Sequence, residues 1–186
     1  MKITKYTLLV LFISLEIFSC SEDDFTTNNT EVTTSLEFRQ ELNISYGSDS
    51  DQVFDIYLPE NRTLDTKVMI LVHGGGWTSG DKSSMDDFKD IMLQDLPNIA
   101  IVNINYRLAD PDNQPYPMQI DDITTIVNVL KTNQNDYVIS NDIGFLGTSA
   151  GAHLSMLWSY AFDTDDDVQM VASIVGPTNF TDPAYT

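Results

Sequence analysis

Residues 67–77 read Lys67-Val68-Met69-Ile70-Leu71-Val72-His73-Gly74-Gly75-Gly76-Trp77. An unbroken apolar run marks a strand buried on both faces, as in a parallel sheet. The three glycines that follow let the backbone turn sharply and present N–H groups to an open site. Working outward, apolar runs of strand length recur at 53–58 (VFDIYL, stopped by Pro59), 99–104 (IAIVNI), 142–146 (DIGFL) and 169–175 (QMVASIV). Residues 36–46 alternate weakly, and the turn-rich Gly47-Ser48-Asp49-Ser50-Asp51 joins them to 53–58 as a hairpin. Helical spacing of Met85, Phe88, Ile91 and Met92 predicts a helix over 85–96, capped by Ser83-Ser84. Ile120, Ile123, Ile126, Val127 and Leu130 share one face of a helix over 118–132, and a third helix spans 150–162. Residues 109–117 (ADPDNQPYP) are a loop. A hairpin followed by alternating strands and helices predicts an α/β domain. Its doubly wound, mostly parallel sheet has an antiparallel N-terminal edge and helices on both faces.

The second informative stretch is Gly147-Thr148-Ser149-Ala150-Gly151, directly after the strand 142–146. A serine hydroxyl is a weak nucleophile and must be exposed and oriented to act. A sharp strand-to-helix turn does both, and the flanking glycines prevent collision where the chain folds back. The N–H of Ala150 then lies at a helix N-terminus, where negative charge is favoured. A glycine-rich turn with a capping serine is the other reading of this segment. For the glycine loop the other reading is a phosphate cradle, but no Lys-Ser/Thr follows the glycines as a P-loop requires.

The N-terminus reads as an address. Lys2 and Lys5 precede an apolar stretch from Leu8 to Phe18 that is short for a membrane span and has the layout of a secretory signal. Ile17-Phe18-Ser19-Cys20 resembles the lipobox of a bacterial lipoprotein, which implies lipidation of Cys20, the single cysteine of the chain. An ordinary signal peptide with an incidental cysteine is the alternative. Residues 1–19 are then the signal, 20–34 (CSEDDFTTNNTEVTT) an acidic, Thr/Asn-rich tether, and 35–186 the folded domain. Such a protein is expected at the outer membrane or cell surface, touching the membrane through its lipid anchor only. The chain holds 28 acidic residues against 9 Lys and Arg. Without residues 1–19, which carry Lys2, Lys5 and Glu16, the balance is 27 against 7. That charge repels phosphate and excludes a nucleic-acid partner.

The sequence resembles α/β-hydrolases of the esterase/lipase kind with an HGGG oxyanion loop. The likeness is to the bacterial branch carrying HGGGW-x-x-GDK, here His73 to Lys82, with feruloyl and acetylxylan esterase-like carboxylesterases among its members. It covers 53 to about 180 and includes Asp55-Ile56-Tyr57-Leu58-Pro59, Asn105-Tyr106-Arg107-Leu108 and Gly147 to Leu154. The resemblance implies that Ser149 is the nucleophile and that Gly75, Gly76 and Ala150 supply oxyanion donors. It also implies that His73 and Gly74 shape the loop. No cofactor or metal is expected, and the implied substrate is a small-molecule ester, in some relatives carbohydrate-linked. Trp77, Tyr106 and Tyr116 are candidates for an acyl or alcohol pocket, or for core packing or a lid.

A serine hydrolase needs a histidine base, and the chain has only His73 and His153. The resemblance gives His73 a structural role. His153, one turn beyond Ser149, is expected to be hydrogen-bonded in the core. The family order is serine, acid, histidine, and after Ser149 come Asp163, Asp165, Asp166, Asp167 and Asp182 but no histidine beyond His153. Asp163, Asp165 and Asp167 have a calcium-loop spacing, but Val168 stands where an EF-hand needs glycine. The expectation is therefore the N-terminal part of a longer serine carboxylic-ester hydrolase. Acid and base would lie beyond residue 186, and the part alone would be inactive and poorly stable. A non-catalytic hydrolase-fold binding module and a serine peptidase of the same fold are the alternatives.

Overall fold

The computed structural model describes residues 35–180. The signal 1–19, Cys20, the tether 20–34 and Asp182 lie outside the described residues. Six strands, β1 (Arg39–Ser45), β2 (Val53–Leu58), β3 (Val68–Val72), β4 (Ala100–Ile104), β5 (Ile143–Thr148) and β6 (Val168–Ile174), make one sheet in the order β1-β2-β4-β3-β5-β6. Strands β4, β3, β5 and β6 run parallel, and β2 joins β4 and β1 antiparallel. The mixed, mostly parallel α/β sheet with an antiparallel N-terminal edge is the one expected.

The helices are α1 (Asp86–Asp95), α2 (Pro115–Thr132), the single turn α3 (Gln134–Tyr137) and α4 (Ala150–Ala161). They cover both faces because β3 is apolar on both. Val68, Ile70 and Val72 pack in a core that takes in Ile120, Ile123 and Ile126 of α2 and Leu154 and Trp158 of α4. Met69 and Leu71 point the other way, into a smaller core with Met85, Met92 and Ile101 under α1. Side chains alternate across a strand, so one five-residue run supplies two layers. Each such fully buried side chain contributes about 1.5–3 kcal/mol.

Three local expectations are corrected. The chain before α1 is capped by Asp81, not by Ser83-Ser84: Ser83 N–H donates to Asp81 Oδ1 at 2.8 Å, and a 3₁₀ turn (Lys82–Met85) precedes the α-helix. Asn105 Nδ2 holds the other oxygen of Asp81 at 2.8 Å, and this anchors the turn one residue pair earlier than sequence spacing implied. Ile91 is 58% exposed, because α1 meets the sheet along Phe88, Met92 and Leu93, with Met85 of the preceding turn. Finally, α2 begins at Pro115 with Tyr116 still extended, rather than at Met118, and the short turn α3 was not anticipated.

The calcium-like spacing has a plainer account. The Asp163 carboxylate accepts from the N–H groups of Asp167 (3.1 Å) and Val168 (2.9 Å), closing the turn into β6. Lys131 Nζ lies 2.6 Å from a carboxylate oxygen of each of Asp165 and Asp167. The ammonium thus takes the place a cation would need.

Candidate active site

Strand β5 passes into α4 through Ser149, whose backbone stands at φ 50°, ψ −115°. Positive φ is uncommon outside glycine and persists where surroundings impose it. Here the Ser149 N–H donates to Ile174 O on β6 (2.8 Å), and Ser149 O accepts the first α4 hydrogen bond from His153 N–H (3.1 Å). Two glycines let the helix start close against the sheet. A Cβ on Gly147 would lie 2.5 Å from Gly151 O and 2.6 Å from Ala152 N. A Cβ on Gly151 would overlap the carbonyl oxygens of Val72 and His73. The N–H of Ala150, in the first turn of α4, has no acceptor within the helix and sits at its positive end.

The glycine loop leaves the neighbouring strand at the same sheet edge, since Val72 is paired with Gly147. Gly74 lies directly on the serine turn: a Cβ there would be 3.2 Å from Ser149 Cβ and 3.0 Å from Thr148 O. Gly75, Gly76 and Trp77 follow with φ of 120°, 60° and 66°. Gly75 O closes the turn by accepting from Thr78 N–H (3.2 Å), Ser79 N–H (3.1 Å) and Ser79 Oγ (2.9 Å). His73, Gly74, Gly75, Gly76, Ser149 and Ala150 are therefore brought together at the C-terminal ends of β3 and β5. This is where an open parallel sheet binds ligands.

The loop is held by His73, as the resemblance implied, and by Tyr106 and Asn105, to which sequence reading gave no part in it. The His73 ring is fully buried and stacked on Tyr106, with centroids 4.3 Å apart and planes 10° apart. The Tyr106 hydroxyl donates to His73 O at 2.8 Å. His73 Nδ1–H donates to Gly74 O (2.6 Å), and Nε2 has no partner among the described residues. Burial pushes this imidazole below its ordinary range, so it stays neutral. Downstream, Lys82 Nζ pairs with Asp55 Oδ2 on β2 at 2.7 Å, nearly out of solvent, and Lys82 N–H donates to Asn105 Oδ1 at 2.5 Å. The two hydrogen bonds from Ser83 and the one from Asn105 lower the Asp81 carboxyl to about 2. The sequence signals for these supports were the resemblance of His73 to Lys82, of Asp55 to Pro59 and of Asn105 to Leu108. They marked the segments without saying what they touch.

Beside the loop is an apolar pocket of about 230 Å³, lined by Trp77, Tyr116, Ile120, His153, Leu157 and Phe180 among others. Trp77 and Tyr116, candidates for a pocket, for core packing or for a lid, both line it. Tyr106 does not, because it lies buried under His73. His153 also departs from expectation. It is half-buried, edge-on to Trp77 (5.6 Å, 85°) and Phe180 (4.9 Å, 88°), and its buried Nδ1 has no hydrogen-bond partner among the described residues. Burial lowers its pKa. The ring therefore packs as an aromatic body instead of joining a polar network. A larger cleft of about 310 Å³, near Phe38, Pro59, Leu93 and Leu96, shares no residue with the site.

Comparison with known proteins places this geometry. The BD-FAE family model matches residues 54–185. Kynurenine formamidase of Salmo salar is 26% identical over 117 residues, 62% of this chain and 37% of the relative. The bifunctional GH43-CE protein of Bacteroides eggerthii superposes with a TM-score of 0.56 at 28% identity, over 64% of this chain and 17% of that one. A fungal esterase from Rhizomucor miehei gives 0.62 at 25% identity, over 79% and 47%. The chain thus spans less than half the length of each. With the match covering the sheet from β2 to β6, the glycine loop and the serine turn, the chain belongs to the BD-FAE family of α/β-hydrolase esterases.

Proposed function

We propose that this chain carries the nucleophile and oxyanion hole of a serine carboxylic-ester hydrolase. The observation that carries the reading is the meeting of Gly74 with Ser149, which sets a strained, helix-starting serine against a positive-φ glycine loop. Ser149 Oγ attacks the ester carbonyl carbon and its proton passes to a base. The N–H groups of Gly75, Gly76 and Ala150 take the charge that develops on the carbonyl oxygen. His73 and Gly74 shape the loop that presents them. Each such donor lowers the barrier by about 3 kcal/mol. Collapse expels the alcohol and leaves an acyl group on Ser149, which water then releases as the acid.

His73 is buried, stacked on Tyr106 and bonded through Nδ1–H to Gly74 O, which gives it a structural place in the loop, and His153 packs edge-on between aromatic rings. The reading takes its acid and histidine base from outside residues 1–186. Small-molecule esters fit the apolar pocket as acyl or alcohol donors, and carbohydrate-linked esters follow from the family resemblance. In the protein translated from its whole reading frame, Ser149→Ala is expected to lower kcat/KM on an aryl acetate by about 10⁴ or more. Retained hydrolysis would reject the assignment. The formamidase likeness favours a second reading, cleavage of an N-formyl amide at the same serine. An N-formyl anilide turned over faster than the matching ester would select it.

The reading also makes the protein an exported bacterial lipoprotein anchored through Cys20. Cys20→Ser is expected to move it from the detergent phase to the aqueous phase on phase partitioning; unchanged partitioning would remove the anchor.

A further inference from the structure

The strained end of the glycine loop is tied to α2 by one buried amide. Trp77 holds φ 66°, a left-handed conformation that a bulky residue rarely adopts. Its carbonyl oxygen accepts from Ala109 N–H (2.8 Å) and from Gln119 Nε2 (2.7 Å). The same Gln119 Nε2 donates to Arg107 O at 2.8 Å. Gln119 is fully buried, and its Oε1 has no partner among the described residues. The amide can sit only this way round, because its flipped form would aim an oxygen at two carbonyl oxygens. One turn along α2, the fully buried Asp122 accepts from Arg107 N–H (2.9 Å), Nε (2.9 Å) and Nη2 (2.5 Å), and from Gln52 Nε2 (2.8 Å). Arg107 is thus held to α2 at both ends, and the second acceptor of Gln119 cannot drift.

We infer that Gln119 is a positioning residue for the oxyanion hole. It touches no reacting atom. Together with Ala109 N–H it fixes the Trp77–Thr78 peptide, whose N–H donates to Gly75 O, and Gly75 O shares its peptide plane with the Gly76 N–H; the aim of that N–H is thereby tied to Gln119. Two carbonyls at one site demand a neutral double donor, which glutamine supplies and glutamate does not. The catalytic part of this inference rests on the hydrolase reading of Ser149; the structural part does not.

The test compares Gln119→Met, which keeps the volume and removes the donor, with Gln119→Glu, which turns a carboxylate on the two carbonyls. Thr125→Ala, on the exposed side of α2, is the control. Amide hydrogen exchange over 73–79 is expected to speed up by about tenfold or more in either variant, with peptides from β4 and β5 unchanged. On an aryl acetate, kcat is expected to fall about tenfold with KM within about twofold, the mark of a contact that matters in the transition state. Loop exchange equal to that of the wild type, or an equal rise throughout the domain in both variants, overturns the inference. The kinetic arm uses the protein translated from its whole reading frame; if that wild type does not turn over the ester, the hydrolase reading fails instead, and exchange alone then decides the role of Gln119.

Discussion

The serine turn and the glycine loop sit side by side, yet they are built in opposite ways. The serine turn is held mainly by backbone. Its strain at Ser149 is fixed by one strand hydrogen bond and one helix hydrogen bond, and two glycines four residues apart let α4 close on the sheet. The glycine loop is held by side chains from distant elements: Tyr106 under His73, Gln119 on Trp77, Asn105 on Asp81 and Asp55 on Lys82. A turn specified by close approach tolerates almost no added atom. A loop specified by hydrogen bonds tolerates shape-conserving changes but loses its aim when a donor goes.

The largest effect should come from adding a methyl group to the first region. Gly151→Ala gains about 1 kcal/mol of helix propensity. It loses more, because its Cβ overlaps two backbone carbonyls that cannot rotate away. A net destabilisation of about 3 kcal/mol is expected in urea unfolding; a variant as stable as the wild type would break the contrast. Tyr106→Phe should cost less, about 1–2 kcal/mol. The ring still stacks on His73, and only the hydrogen bond to the buried His73 carbonyl is lost. Its unfolding midpoint should therefore fall between those of the wild type and Gly151→Ala.

The smallest effect tests the far end of the loop through pH. Folding lowers the Asp81 carboxyl from its usual value to about 2, first through the hydrogen bonds of Ser83 and then through that of Asn105. A depressed carboxylate contributes stability that is full above its unfolded pKa, near about 4, and is lost as pH falls through the folded value. Melting temperatures of the wild type and Asp81→Ala should thus differ at neutral pH and converge as pH drops from about 4 towards 2. A difference that stays constant over that window would remove Asp81 as the anchor.

Legibility in the sequence followed the same division. The strand 53–58 and the serine turn were readable to the residue, because their determinants lie within a few neighbouring positions. Ile91 and the cap of the 3₁₀ turn before α1 were misjudged, because the sheet and Asn105 decide them from elsewhere in the chain. His153 was expected to be hydrogen-bonded in the core. Trp77 and Phe180 instead surround it with ring edges, and no local pattern announces that.

The sequence alone determined the α/β order of elements, the two-faced central strand and the positions of the strand-to-helix serine turn and the glycine segment. These rest on short-range rules: side-chain periodicity, the missing Cβ of glycine, and the sharpness of a strand-to-helix turn. Only the tertiary structure decided that Gly74 lies on Ser149, that Tyr106 is a support rather than a pocket wall, and that Gln119 holds Trp77. Those contacts join residues 33 to 75 positions apart, and nothing shorter than the folded sheet brings them within hydrogen-bonding or van der Waals reach.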